Sequence, residues 1–165
     1  MTNKINYPYL PTGKKIEYVT LDNKFMKIAR NFALSNLINK SLPITGSVIT
    51  KEDKVLGFGA SGGEYHKKIG CERVKQGCPP NQGYELCEGC QYKNHSEQVA
   101  IRDAYKKGNY IQNADLYLWG QWWSCKSCWQ EMINAGIKNV FLLENSEILF
   151  NRENPNNIIG KHFDK

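Results

Sequence analysis

"NHSEQVA", residues 94–100, and "WWSCKSCWQEM", residues 122–132, each open a helical pattern with side chains that a helix start does not require. A helix front is ordinarily capped by a hydroxyl, a short amide or a carboxylate. Here the two fronts carry His95, Glu97, Cys125 and Cys128. Cys125 and Cys128 lie three positions apart on one turn, a spacing that lets both sulfurs meet a single ion. The free N–H groups and the dipole of a helix start stabilise their thiolates. His95 adds an imidazole from the other helix. Three such ligands leave a fourth position for water, the pattern of a catalytic zinc rather than a structural one. Glu97 need not coordinate and is placed to take a proton from that water.

Working outward, the chain alternates strand and helix. Residues 1–20 read as an extended, Pro-containing leader. In "LDNKFMKIARNFALSNLINKSLP" Asp22 is the expected N-cap, Phe25, Ile28, Ala29, Phe32 and Ala33 repeat with helical spacing, and Pro43 closes the pattern. "TGSVITKEDKVLGFGASGG" predicts a hairpin, with strands near 46–50 and 54–59 around a polar turn. Gly57, Gly59, Gly62 and Gly63 loosen the exit of the second strand enough for backbone to approach a ligand. A helix is expected near 95–107, a buried strand at "ADLYLW", a helix at "CKSCWQEMINAG" ending on Gly136, and a strand at "IKNVFLL". This order predicts an α/β fold in three layers, a central mixed sheet with helices on both faces.

Composition sets the outer limits. A chain of 165 residues, 41% hydrophobic and 23% charged, suits one domain with its own core. No apolar run approaches the roughly 18–20 residues of a membrane span, and the first residues lack a secretory apolar core, so a cytoplasmic protein without membrane contact is expected. Residues 1–40 hold seven Lys/Arg against two Asp/Glu, which supplies most of the net charge of +6. Such an excess suits phosphate-bearing ligands, or simply a solvated helix face, and does not establish a nucleic-acid partner.

His-x-Glu followed by Cys-x-x-Cys resembles the signature of the cytidine and deoxycytidylate deaminase superfamily, a pattern already known for zinc deaminases. The resemblance extends to "FMKIARNFALSN", the hairpin, "LCEGCQYKNHSEQVAI" and "MINAGIKNVF", roughly residues 21–143, and is nearest the deoxycytidylate (dCMP) deaminase branch. It implies the cytidine-deaminase-like fold, a catalytic zinc on His95, Cys125 and Cys128, and Glu97 as proton shuttle. It also implies hydrolysis of a small-molecule cytosine nucleotide, dCMP to dUMP, with release of ammonia, by a homo-oligomer. Three departures stand out: Ser96 replaces the usual Ala, Ser124 replaces the usual Pro, and Ser61 replaces a sugar-contacting Asn. "WGQWWS", residues 119–124, makes the loop before Cys125 longer. Ser61, Ser96, Trp122 and Trp123 are therefore the candidate substrate contacts, with Trp119 and Trp129 assigned to packing. The same chemistry on another base, nucleoside or modified nucleotide is the alternative. A non-catalytic nucleic-acid-binding zinc protein on this fold is the rival from another class.

Residues 60–94 are too long a connection to lie unstapled in a compact domain. Cys71, Cys78, Cys87 and Cys90 within it predict a second, structural zinc, whose binding would offset the entropy of ordering the insertion. His66 in place of one thiol is the mixed alternative, and free or redox thiols are another. A thioredoxin-like reading of Cys125 and Cys128 leaves only 37 residues after the motif and gives His95 and Glu97 no role.

Overall fold

The structure, a computed structural model, describes residues 4–38, 43–79 and 82–161. Five strands form one mixed sheet: β1 (Ile16–Val19), β2 (Gly46–Lys51), β3 (Lys54–Ala60), β4 (Asp115–Trp119) and β5 (Asn139–Leu143), in the order β1-β5-β4-β2-β3. β1 and β4 run parallel to β5, whereas β2 is antiparallel to both β3 and β4. The helices are α1 (Lys24–Ser35), α2 (Gly63–Ile69), α3 (Glu72–Lys75), α4 (Ser96–Lys106), α5 (Lys126–Asn134) and α6 (Ser146–Leu149).

Strand alternation divides the core into two halves. Ile49, Leu116, Leu118, Val140 and Leu142 face α4 and α5, meeting Ala100, Ile101, Ala104, Trp129 and Met132. Their neighbours Val48, Tyr117, Trp119 and Leu143 face α1, meeting Met26, Ala29 and Ala33. The three-layer arrangement with helices on both faces is as expected, and Trp119 and Trp129 are packing residues.

The cap of α1 is Asn23 and not Asp22: its Oδ1 accepts the N–H groups of Phe25 and Met26, both at 3.0 Å. The helix ends at Ser35, well before Pro43, because Asn36 turns its amide back to the Phe32 carbonyl at 2.8 Å. The expected extension through 39–42 lies outside the described residues. Ile16–Val19, expected only as extended leader, is an edge strand of the sheet. The hairpin turns on Glu52 and Asp53, both at positive φ (50° and 66°), the geometry of a type I′ turn.

Two glycines set how closely α4 lies on the hairpin. A Cβ at Gly59 would stand 2.1 Å from the Ser96 carbonyl oxygen, and one at Gly57 would stand 2.5 Å from that of Ala100. The backbone they admit is that of α4, not a ligand. Because β2 is antiparallel to both, β3 and β4 point the same way, so α4 and α5, which follow them, begin at the same end of the sheet. Among the described residues no helix is long and apolar enough to cross a membrane.

Candidate metal centre and acid-base group

His95 and Cys125 are the N-cap residues of α4 and α5. The Cys125 sulfur accepts the Cys128 N–H at 3.4 Å, doing the work an Asp or Ser oxygen does elsewhere. The His95 Nδ1 stands 3.6 Å from both the Cys125 and Cys128 sulfurs. A sulfur about 2.3 Å and a nitrogen about 2.0–2.1 Å from one zinc are separated by about 3.6 Å at tetrahedral angles, so the triad fits that ion. Cys128 is fully buried, and its sulfur accepts from the Gln98 amide at 3.5 Å. The same amide donates to Ser127 at 3.0 Å, which fixes its orientation. Tyr92 places its ring edge-on to His95 at 5.4 Å. Neither Gln98 nor Tyr92 carries a motif signal; the helical spacing of Gln98 from His95 was the only hint.

Proton affinities in the triad diverge. The hydrogen bond from Cys128, helped by His95, brings the Cys125 thiol down to about 4. The reciprocal bond to Cys125, burial and the Glu97 charge all raise Cys128. Burial opposes charging His95, but the bond to Cys125 and the charge of Glu97 outweigh it and raise the imidazole.

Glu97 is only 5% exposed. Its Oε1 accepts the Ser124 hydroxyl at 2.7 Å and its Oε2 accepts the Ser96 hydroxyl at 3.2 Å. Ser96 is itself fully buried, beside Thr45 Oγ1 at 3.1 Å and Ser47 Oγ at 2.8 Å. It supports the carboxylate and presents no surface to a substrate. The Ser61 hydroxyl accepts the Thr45 N–H at 3.1 Å, tying the end of β3 to the chain entering β2. Trp122 packs in the half-core beneath α1 and stacks on Tyr7 at 6.5 Å. Trp123 instead lines an open cleft of about 640 Å³ that includes Cys125, Tyr9, Tyr92 and Lys126. Of the four candidate substrate contacts, Trp123 is the one on this cleft.

A second cluster forms in the insertion. All six cysteines are free thiols. The ligand atoms of His66, Cys71, Cys87 and Cys90 lie within 4.8 Å of one another. His66 Nε2 is 3.3 Å from the Cys87 sulfur and 3.6 Å from that of Cys90, and the Cys71 and Cys90 sulfurs are 3.5 Å apart. Three soft ligands and an imidazole suit a closed zinc site. His66 takes the place expected for Cys78. The reason is local: the four-residue helix α3 separates Cys71 from Cys78, and the Cys78 N–H closes that helix on the Arg73 carbonyl at 2.9 Å after Gly77 at φ 66°. The His66 ring fills a slot between glycines, since a Cβ at Gly62 or Gly89 would come within 1.8 Å or 2.4 Å of it. Burial, then the Arg73 charge, lower the His66 pKa and favour the neutral, ligating imidazole. Burial and the neighbouring Cys71 push Cys90 up to about 12, although Arg73 opposes them.

Residues 19–144 match the family described as the cytidine and deoxycytidylate deaminase zinc-binding region. No match is found among curated protein sequences. Among solved structures, the chain is similar to a dCMP deaminase from cyanophage S-TIM5 in complex with dCMP and dUMP, at 20% identity over 76% of this chain and 83% of that one, with a TM-score of 0.48. A guanine deaminase from Bacillus subtilis aligns at 22% identity over 74% of this chain and 64% of the other, with a TM-score of 0.45. A diaminohydroxyphosphoribosylaminopyrimidine deaminase/reductase from Thermotoga maritima aligns at 25% identity over 72% of this chain, with a TM-score of 0.44. The chain spans only 28% of that last protein's length.

Proposed function

The chain belongs to the cytidine and deoxycytidylate deaminase family, in its zinc-binding region, and from that premise we propose that it hydrolyses a cytosine nucleotide to the uracil nucleotide and ammonia, with dCMP to dUMP the favoured pair. One observation carries the reading. The ligand atoms of His95, Cys125 and Cys128 converge within 4.8 Å of one another, and the buried Glu97 follows His95 in the first turn of the same helix.

Zinc held by His95, Cys125 and Cys128 would make a water molecule nucleophilic near neutral pH. Glu97 accepts a proton from the water that adds to the amino-bearing ring carbon and delivers it to the adjacent ring nitrogen. Glu97 then takes the remaining proton of the added hydroxyl and passes it to the amine, so that the carbonyl forms as the carbon–nitrogen bond breaks, ammonia leaves and the carboxylate is restored. Gln98 and Tyr92 orient the thiolate and the imidazole that hold the ion.

We propose a second, closed zinc on His66, Cys71, Cys87 and Cys90 that staples residues 60–94 within a single deaminase domain. A homo-oligomer acting on free nucleotide completes the proposal. The basic N-terminal segment favours a nucleic-acid partner only weakly, because Lys15 and Lys24 are paired with Glu17 and Asp53 at 2.7 and 2.6 Å.

A second reading, the same chemistry on another base, nucleoside or modified nucleotide, is favoured by Ser61, whose hydroxyl is engaged by the Thr45 N–H. Ammonia release from zinc-loaded protein over a panel of amino-bearing bases, nucleosides and nucleotides separates the two. Turnover highest on dCMP supports the first, and turnover highest elsewhere supports the second. Binding of single-stranded nucleic acid with no turnover on any substrate would reject both.

A further inference from the structure

Both oxygens of the Glu97 carboxylate are held by hydroxyls from different parts of the chain. Ser124 precedes Cys125 on the approach to α5, and its Oγ reaches Glu97 Oε1 on α4 at 2.7 Å. Ser96 reaches Oε2 at 3.2 Å. Ser124, Ser96 and Glu97 are 2%, 0% and 5% exposed, so bulk water does not compete for either hydrogen bond. A serine hydroxyl has one hydrogen and two lone pairs. Thr45 Oγ1, at 3.1 Å, donates to Ser96, and Ser47 Oγ, at 2.8 Å, can occupy its second lone pair, which directs the one Ser96 hydrogen at the carboxylate. The Ser124 hydrogen has no competing acceptor among the described bonds.

From this geometry we infer that Ser124 is a positioning residue. Its hydroxyl locks the Glu97 carboxylate across the gap between the two helix fronts, in register with the triad. The inference rests on the deaminase reading for its kinetic consequence and on the hydrogen bond alone for its structural one. Each carboxylate oxygen accepts one hydroxyl and keeps a second lone pair, so the clamp leaves Glu97 able to exchange protons with water and substrate. The donors come from different segments, Ser96 from α4 itself and Ser124 from the approach to α5. Removing the Ser124 donor frees Oε1 while Ser96 still holds Oε2, and the carboxylate is then free to turn about that remaining bond. Misplacement of a reacting group by about 1 Å lowers rate on the order of 100-fold.

The test compares zinc-loaded wild type with Ser124→Ala and Ser124→Thr, in crystals and in turnover. In wild type, the Glu97 carboxylate is expected in one rotamer with Ser124 Oγ at hydrogen-bond distance; in Ser124→Ala it is expected displaced or split. Alongside this, Ser124→Ala is expected to lose about 10- to 100-fold in kcat with KM within about threefold and zinc content unchanged, and Ser124→Thr to recover to within about threefold of wild type. Either of two results overturns the inference. One is an Ser124→Ala protein with Glu97 unmoved and wild-type kcat; the other is a loss that Ser124→Thr does not recover. If wild type releases ammonia from no substrate, the deaminase reading fails instead. The crystallographic comparison then decides the clamp alone: a displaced Glu97 in Ser124→Ala upholds it, and an unmoved one rejects it.

Discussion

Gly59→Ala should damage the centre without touching any residue in it. Gly59 lies in β3 with α4 laid directly over it, and an added Cβ would stand 2.1 Å from the Ser96 carbonyl oxygen and 2.5 Å from the Ala100 nitrogen. Both contacts are backbone, so no side chain can rotate away. To move from 2.1 Å to the 3.4 Å at which ordinary contact begins, α4 must withdraw by about 1.3 Å. The helix carries His95 at its cap and Glu97 in its first turn, whereas Cys125 and Cys128 ride on α5. A shift of that size therefore separates the imidazole and the carboxylate from the two thiols. Overpacking of this kind costs about 1–3 kcal/mol, and for a chain of this length that is a fall in Tm of roughly 2–12 °C. Misplacement by about 1 Å lowers kcat on the order of 100-fold. Thermal unfolding, zinc content and turnover measured on the same preparation check all three effects. The control is Gly13→Ala: nothing lies within 4 Å of its Cβ position, so only its φ of +78° is penalised, by about 1–2 kcal/mol, and kcat is unchanged. A Gly59→Ala protein with wild-type Tm and wild-type kcat would refute the claim that close packing of α4 on β3 sets the geometry of the centre.

Metal analysis should find two zinc ions per chain, one of them lost in Cys87→Ser and both kept in Cys78→Ser, because the Cys78 sulfur lies beside Gly83 and outside the His66, Cys71, Cys87 and Cys90 cluster. Equal loss in the two variants would return Cys78 to the ligand set. Zinc uptake at the triad should tighten as pH rises. Cys125, at about 4, has already lost its proton, whereas Cys128 and His95, both raised, must release theirs on binding, and falling pH opposes that release. Chelator competition between about pH 6 and pH 8 should show affinity gaining on the order of tenfold per unit or more, and a flat profile would contradict the assigned protonation.

Much of this arrangement is legible in the chain itself. The hairpin follows from two alternating runs around a polar pair, and α4 and α5 follow from their apolar spacing. His95, Cys125 and Cys128 meet because two strands of like direction deliver their helices to one end of the sheet. What escaped was set by contacts distant in sequence. Ile16–Val19 is only four residues long, and although Ile16, Tyr18 and Val19 favour strands, what makes it part of the sheet is its pairing with β5. Asp22 and Asn23 are both competent caps, and only the register of the first turn selects Asn23. His66 stands in the cluster in place of Cys78 because a helix of four residues, invisible in a Cys count, carries the chain away from Cys71 and leaves the Cys78 sulfur beside Gly83. Gly57 and Gly59 signalled close approach correctly but not of what. The hydroxyl support of Glu97 has no periodicity to betray it, since Thr45, Ser47, Ser96 and Ser124 come from separate segments.

The most direct test of the account is turnover of Glu97→Gln with its zinc content measured in the same sample. Gln keeps the shape of Glu97, with one oxygen to accept the Ser96 hydroxyl and an amide N–H to donate to the Ser124 oxygen, but it cannot take a proton from water. Because Glu97 is assigned as proton carrier and not as ligand, the variant should retain the zinc of wild type and lose ammonia release by about 100-fold or more. Full zinc with substantial ammonia release would contradict the assignment, and so would loss of the metal with the carboxylate.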